Sequence, residues 1–243
     1  MKQSVLKRMQ DMVRKQWKEE GILEEKVRVT ARTLTTEEAI GNPEGDDFPL
    51  LRGKEKLMEA EFRGVRGQAF TDRFGDFSGT LREIADADLS NNFRRAIFVA
   101  TCNAVQRSLG KTDNTIHCRD EGPGICAPKM AEYIMNTYGK VRITHIGFQP
   151  AMIKALAEKF PLRVVDLDPD NIGTQKCGIT IEGPDSTAEA IEDAELLTVT
   201  GSTIVNDTLD QFVRNDKPTI FYGTTVAATA NLMGLTRFCC ESS

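Results

Sequence analysis

The 243-residue chain lacks the features that mark several large classes of protein. It has no apolar run long enough to cross a bilayer. Its beginning, MKQSVLKRMQDMVRKQWKEE, has a charge at nearly every turn and lacks the apolar centre of a secretory signal. The net charge of −5 gives a nucleic-acid-binding surface no support. We therefore expect a protein that binds neither membranes nor nucleic acids.

Cysteines are few and irregularly spaced, which bears on both metal binding and location. Six cysteines in a chain of this length, without an export signal, indicate reduced thiols. Cys118 and Cys126 do not form a C-x-x-C knuckle, so a closed structural zinc site has no support. The vicinal pair Cys239–Cys240 could offer soft sulfur ligands, or could have no function. We expect six free thiols and a cytoplasmic location.

The pattern of elements predicts an α/β fold class in two parts. Up to about residue 111, a helix, short strands and further helices indicate an α+β domain. From residue 127 onward, strands and helices alternate, which favours a parallel sheet covered on both faces. The predicted division is an α+β domain at 1–111, a linker and cleft loop at 112–126, and an α/β domain at 127–243.

Three predicted strands end in a glycine turn that we expect to open a helix. The turns lie in HIGFQPA, VTGSTIV and FYGTTVA. In an open parallel sheet such turns gather at the carboxyl edge, where ligands bind at the switch point of strand order. Asp166 follows Gly147 by about 20 residues, where dinucleotide-binding folds place a ribose-binding acid. Because GFQPAM lacks the G-x-G-x-x-G fingerprint, the interpretation of Asp166 as a turn residue at a strand end is favoured over ribose binding.

The segment TIHCRDEGPGIC, residues 115–126, is the densest run of reactive side chains. We expect a loop, since its two glycines and proline disfavour helix and strand. His117 could transfer a proton or, with a carboxylate such as Glu121, hold a divalent or heavy-metal ion at an open site. Arg119 could bind a carboxylate or phosphate, or could pair with Asp120 or Glu121.

The remaining candidate functional residues are the other histidine and the residues of the hydroxyl-rich turns. His145 shares a predicted strand face with apolar residues, which indicates a packed, locally hydrogen-bonded histidine. GSTIVN is neither a G-x-S-x-G elbow nor a phosphate-binding P-loop. Ser202, Thr203 and Thr224 suit an anionic or polar ligand, and the same residues also suit helix capping.

Seven segments, taken in order, resemble the heavy-metal chelation family, a domain-of-unknown-function group from bacteria and archaea. The segments are TEEAIGNPEGDDFPLLRGKE, GQAFTD, TIHCRDEGP, IGFQPAM, DLDPDNIG, TGSTIVNDT and FYGTTVAA. The resemblance implies an enolase-N-terminal-like domain, a Rossmann-like domain and an active site in the cleft between them. It implies a role in metal chelation or in making a metal-binding compound. The cleft residues it implies are His117, Arg119, Glu121, Gly147, Gln149, Thr200, Gly201, Ser202 and Asn206.

Three functional hypotheses follow. The first is a protein, enzymatic in its activity, that binds a small anionic or metal-chelating ligand in the interdomain cleft. The second is a non-catalytic binder of a metal or metallophore. The third is a Rossmann-type transferase or oxidoreductase that uses a nucleotide cofactor. A homo-oligomer is compatible with all three. The complete set of candidate residues is His117, Arg119 and Glu121 for catalysis, His117 and Glu121 for a metal, and Gly147, Gln149, Asp166, Thr200, Gly201, Ser202, Thr203, Asn206 and Thr224 for the ligand.

Overall fold

The computed structural model describes residues 3–30 and 56–243. The sequence also predicts a capped helical turn at 34–41 followed by a turn-rich segment, and both lie outside the described residues. The described chain has a mixed α/β fold with an antiparallel sheet and a mostly parallel sheet, which confirms the predicted fold class. No helix in the described ranges is long and apolar enough to cross a membrane.

The helices and strands follow each other in the order that the sequence pattern predicts for most of the chain. The helices are α1 Val5–Glu19, α2 Leu81–Ala85, α3 Asn92–Ser108, α4 Gly122–Tyr138, α5 Pro150–Ala157, α6 Thr187–Asp193, α7 Asp210–Val213 and α8 Ala227–Met233. The strands are β1 Lys26–Thr30, β2 Lys56–Phe62, β3 Val65–Thr71, β4 Phe77–Thr80, β5 Ile143–Ile146, β6 Leu162–Val165, β7 Gln175–Lys176, β8 Ile179–Glu182, β9 Leu196–Thr200, β10 Thr219–Tyr222 and β11 Arg237–Phe238.

The first sheet is antiparallel, with strand order β3-β2-β1-β4. Strands β2 and β3 form a hairpin whose turn uses Arg63 and Gly64, both with positive φ. Strand β4 was not predicted. It ends at Thr80, which starts α2 with a reciprocal cap because its hydroxyl accepts from the Glu83 N–H and its N–H donates to the Glu83 carboxylate.

The second sheet has strand order β11-β10-β9-β5-β6-β8-β7. All neighbouring pairs are parallel except β7 and β8. Within this sheet the chain first forms β5 in the middle and then adds β6 and β8 on one side. It then returns to add β9, β10 and β11 on the other side of β5. Strand order therefore reverses between β5 and β9, and the carboxyl ends of these two strands define the switch point.

Helix α3 joins the two sheets. It is buried continuously from Arg95 to Gln106, so other elements cover it on all sides. Strands β2 and β3 pack on it, and so does α8. Side chains of both halves of the chain contribute to one continuous hydrophobic cluster. The predicted division at 1–111, 112–126 and 127–243 stays a prediction, and the shared cluster means that the two halves pack extensively on each other.

The predicted loop at 115–126 is corrected in part, because α4 begins inside it at Gly122. Pro123 is the second residue of this helix, where the missing N–H would have no intrahelical partner and therefore costs no hydrogen bond. Gly-Pro-Gly disfavours the interior of a helix, but the same residues are compatible with a first helical turn. The helix continues through Pro128 to Tyr138, a length that the sequence pattern did not indicate.

The sequence pattern also predicts a helix over VNDTLDQFV, and the helix in the structure is shorter. Only Asp210–Val213 is α-helical there. The preceding glycine turn opens a short 3-10 helix, Gly201–Ile204, rather than an α-helix. The Thr208 and Leu209 N–H groups both donate to the Thr203 carbonyl, so the chain turns before α7 starts.

Candidate ligand-binding cleft

A cleft of about 730 Å³ opens at the switch point between β5 and β9. One wall comes from the end of β3 and from Asn92 at the start of α3. A second wall comes from His117, Cys118 and the first turns of α4. The floor consists of the turns after β5, β6, β9 and β10. Both sheets therefore contribute to the cleft, as expected for a site at the junction of two structural units.

The three glycine turns meet at the floor of this cleft, as the sequence pattern predicted. Gly147, Gly201 and Gly223 all line it. Gly147 has φ +103°, and a Cβ atom there would lie 2.8 Å from Thr200 Cγ2 and 2.9 Å from Tyr222 Oη. A Cβ atom at Gly201 would lie 2.8 Å from the backbone nitrogen of Val226. Glycine is needed at 147 and 201 because the turns pack directly on one another.

Several predicted ligand-binding side chains already hold the turns together. Gln149 caps α5, since its Oε1 accepts a hydrogen bond from Met152 N at 2.5 Å. The Thr203 hydroxyl donates to the Thr200 carbonyl at 2.7 Å. Thr200 Oγ1 lies 3.4 Å from both the N–H and the Oγ of Ser202. All four residues line the cleft, and the half-buried Ser202 has the weakest of these contacts.

The carboxylate at the end of β6 also stabilises a turn. Asp166 Oδ1 accepts from Asp168 N at 2.9 Å and from Asn171 Nδ2 at 3.0 Å. This matches the interpretation of Asp166 as a turn residue at a strand end. The side chain nevertheless lines the cleft, so it can also contact a ligand.

Asn206 lines the cleft where a polar network crosses between the two halves of the chain. Its Oδ1 is 3.4 Å from Asn92 Nδ2, which donates more closely to Asp72 Oδ1 at 2.6 Å. All three residues line the cleft. Neither Asn92 nor Asp72 was among the predicted site residues, although Asp72 ends the segment GQAFTD.

His117 lies in the cleft wall, and β3 positions it. Its backbone N–H donates to Gln68 Oε1 at 2.7 Å, and Gln68 in turn donates to Glu59 Oε2 at 2.7 Å. The imidazole packs edge-on against the Phe70 ring, with centroids 5.0 Å apart. Gln68 is 2% exposed, so this is a preformed buried support for the candidate histidine. Gln68 was not among the predicted site residues, although it belongs to the segment GQAFTD.

Three predicted residues do not line the cleft. Arg119 and Glu121 are exposed, just before α4 begins. Thr224 is buried with 1% exposure, and its neighbour Thr225 faces the cleft instead. Thr225 Oγ1 accepts from Phe70 N at 3.1 Å, so it ties the turn after β10 to β3. The roles assigned to Arg119, Glu121 and Thr224 stay predictions, and the geometry gives Thr225 the better position.

The formal charge along the described cleft is negative. Asp72, Asp166 and Asp168 line it, and no lysine or arginine among the described residues does so. A cleft lined by one sign of charge concentrates ligands of the opposite sign. The described surface therefore favours a ligand with positive charge or a polar neutral one over a bare anion.

The described residues do not fit a resident metal ion. Within residues 3–30 and 56–243, no three side chains of the histidine, cysteine, aspartate and glutamate types are grouped as a metal site requires. The predicted pair His117 and Glu121 is divided between the cleft wall and the exposed start of α4.

His145 lies beneath the cleft on β5 and is a packed histidine, as its position on the strand predicted. It is fully buried, with Nδ1 2.8 Å from Thr198 Oγ1 and Nε2 3.2 Å from Tyr222 Oη. Its ring stacks on that of Tyr222, which lines the cleft. Burial lowers the pKa of His145 to about 3.

This buried histidine predicts a specific loss of stability in acid. The unfolded chain takes up a proton near the ordinary histidine pKa of 6.5, whereas the folded chain does so only near pH 3. Stability from this group is therefore complete above pH 6.5 and falls as the pH drops towards 3, by about 2 kcal/mol at pH 5. Urea unfolding of the parent and of His145→Gln at pH 7 and pH 5 measures it. We expect a smaller pH dependence in the variant, and an equal dependence in both proteins would contradict the assignment.

The fold and cleft define a two-sheet α/β protein with a binding site at the switch point of its parallel sheet. Residues 129–236 match the model of the family DUF364, whose description reads "Putative heavy-metal chelation". This match confirms the resemblance found in the sequence motifs. No curated protein matches the chain.

Two solved structures of DUF364 proteins with unknown function are similar to this one. The protein from Pyrococcus horikoshii is 18% identical with a TM-score of 0.54, over 91% of this chain and 79% of that chain. The protein from Desulfitobacterium hafniense DCB-2 is 11% identical with a TM-score of 0.51, over 73% of this chain and 72% of that chain. At these identities the similarity shows the shared fold.

Proposed function

We propose that this protein binds a small chelating ligand together with its metal ion in the cleft at the switch point. The observation that supports this most is the convergence of the three glycine turns, Ser202 and His117 on one cleft of about 730 Å³. This volume lies in the range of small-molecule sites. The family description, heavy-metal chelation, agrees with a ligand of this kind.

The negative charge of the described cleft lining favours some classes of ligand over others. A bare anion would meet Asp72, Asp166 and Asp168 without a lysine or arginine from the described residues. A chelate that retains positive charge, or a neutral one with polar groups, suits this lining better. In this proposal the metal ion arrives as part of the ligand, which agrees with the lack of a resident metal site among the described residues.

The chain's own groups supply hydrogen bonds and shape. Ser202 offers a hydroxyl that can donate and accept, and the His117 imidazole can do the same with its two nitrogens. Gly223 lets a ligand approach the backbone closely, since the space that a Cβ atom would take there is open. Proton transfer by His117 would distinguish an enzyme from a non-catalytic metallophore binder. Loss of catalytic turnover when His117 is replaced would support the hypothesis that the protein is an enzyme.

A nucleotide cofactor is the second candidate, and the strand order favours it. Counting from β5, the parallel strands follow the order of doubly wound dinucleotide-binding sheets, and Asp166 ends the second strand beside the cleft. These features support a Rossmann-like assignment for 127–243. The single glycine of GFQPAM weakens it. An adenine absorbance in the small molecules released by denaturing purified protein would favour this candidate.

Native mass spectrometry with elemental analysis of freshly purified protein tests the main proposal. We expect an adduct whose mass exceeds that of a bare metal ion, together with a metal in the elemental analysis. Thermal shift with nickel(II) alone, histidine alone, citrate alone and the uncharged 1:2 complex of nickel(II) with histidine then compares a bare cation, a free chelator, a bare anion and a neutral chelate. Stabilisation by the chelate beyond either component supports the proposal. Stabilisation by citrate alone would favour the anionic ligand instead. Protein that is purified without any adduct and is stabilised by none of the probes would contradict the proposal.

Ser202→Ala and His117→Ala test the two side chains directly. Loss of one hydrogen bond should weaken retention of the bound molecule by roughly tenfold in each variant. The half-exposed hydroxyl of Ser202 contributes little to folding, so its melting temperature should stay within about 2 °C of the parent. Ser78→Ala, an exposed serine on β4 outside the cleft, is the matched control and should retain the bound molecule. Lower stability with unchanged retention would identify the two residues as purely structural.

A further inference from the structure

We propose that Cys126 and Cys240 form a redox modification site, in which an oxidant of the peroxide class joins the two thiols in a disulfide. The two Sγ atoms are 3.4 Å apart, although the residues are 114 positions apart in the sequence. Formation of an S–S bond of about 2.05 Å requires the sulfur atoms to approach by little more than 1 Å. All six cysteines are free thiols in the structure, so this is the reduced state.

Residues 239–243 are held against the start of α4, which maintains the proximity of the two thiols. The Ile116 and Ser243 backbones exchange two hydrogen bonds, of 2.7 and 3.1 Å. Asn114 Nδ2 donates to the Cys239 carbonyl at 2.9 Å, and Lys129 pairs with Glu241. These contacts lie on both sides of the thiol pair. The pair is therefore built into the fold rather than brought together by a mobile end.

The chemistry divides between an exposed thiol and a buried one. Cys240 is exposed and can meet peroxide, whereas Cys126 is 6% exposed. The Cys240 thiolate attacks one peroxide oxygen, the O–O bond breaks, and the products are a sulfenic acid and water after proton uptake. The Cys126 sulfur then attacks the sulfenic sulfur, and the hydroxyl leaves as water with the Cys126 proton. Two thiols and one hydrogen peroxide thus yield one disulfide and two waters.

The second step should be the slow one. Burial raises the pKa of Cys126 to about 12, so little of it is thiolate at neutral pH. We expect disulfide formation to accelerate as the pH rises from 7 to 9. The disulfide would also restrict the motion of one cleft wall, because Cys126 and Cys239 both line the cleft.

The experiment treats the purified protein with a few equivalents of hydrogen peroxide, followed by alkylation and non-reducing peptide mapping. We expect a cross-linked peptide that contains Cys126 and Cys240, a fall from six titratable thiols to four, and reversal by dithiothreitol. The oxidised protein should melt roughly 5–10 °C higher, because the new bond closes a long loop of the unfolded chain.

Two variants keep the outcome decisive. Cys240→Ser changes an exposed side chain and should abolish the cross-link without loss of folding. Cys177→Ser, another exposed cysteine outside the cleft, is the matched control and should form the cross-link as the parent does. Oxidation of Cys240 to a sulfinic or sulfonic acid without a partner, or its pairing with Cys239 or Cys118, would overturn the proposal.

Discussion

Replacing Gly67 by alanine should lower the free energy of unfolding by more than about 3 kcal/mol, or prevent folding altogether. A Cβ atom at this position on β3 would lie 2.2 Å from Ala104 N, 2.7 Å from Ala100 O and 2.7 Å from Asn103 C. All three are backbone atoms of α3, which cannot move aside as the end of a flexible side chain can. The first sheet and the central helix would have to separate. Urea unfolding followed by circular dichroism measures the loss.

Gly124→Ala is the matched control for this substitution. Gly124 lies in the first turn of α4, and a Cβ atom there would meet nothing within 4 Å. Alanine should therefore leave stability unchanged or raise it by up to about 1 kcal/mol, since it restricts the unfolded chain and favours helix. If Gly67→Ala were as stable as the parent, β3 and α3 could not be in the contact described.

Replacing Asn103 by alanine should cost about 4 kcal/mol, because this fully buried amide joins the two halves of the molecule. Its Nδ2 donates to Gln68 O at 2.8 Å and lies 3.2 Å from both Thr224 O and Thr225 O. Its Oδ1 accepts from Ala228 N at 2.8 Å. Alanine leaves these backbone groups buried with no partner from residue 103. The change should appear as a lower denaturation midpoint in urea.

Asn231→Ala provides the comparison, since Asn231 is an exposed residue on α8. We expect its unfolding free energy to stay within about 0.5 kcal/mol of the parent. The Thr225 carbonyl is a hydrogen-bond partner of Asn103, and Thr225 also lines the cleft. Asn103→Ala should therefore also retain less of the bound molecule than Asn231→Ala does. Equal stability of the two variants would show that the amide does not hold the halves together.

Local pattern was sufficient for most of the secondary structure. Helix α3 has an N-terminal cap from Asn91 and ends before Gly110, both visible in the sequence. The apolar run of β9 and the glycine after it predicted a buried strand followed by a turn. These signals depend on residues close in sequence. The early helix start at Gly122 was missed because the same Gly-Pro-Gly pattern suits either a loop or a first helical turn.

The candidate site was likewise predictable from local sequence only in part. Sequence alone determined that three glycine turns would meet at one edge of a parallel sheet, because parallel strands place their carboxyl ends together. Only the tertiary structure decided that Asp72, Asn92 and Thr225 face the same cleft and that Arg119 does not. These positions depend on how the first sheet packs on α3. That packing is set by contacts such as Gly67 against the helix backbone, between residues far apart in the chain, and no local periodicity encodes it.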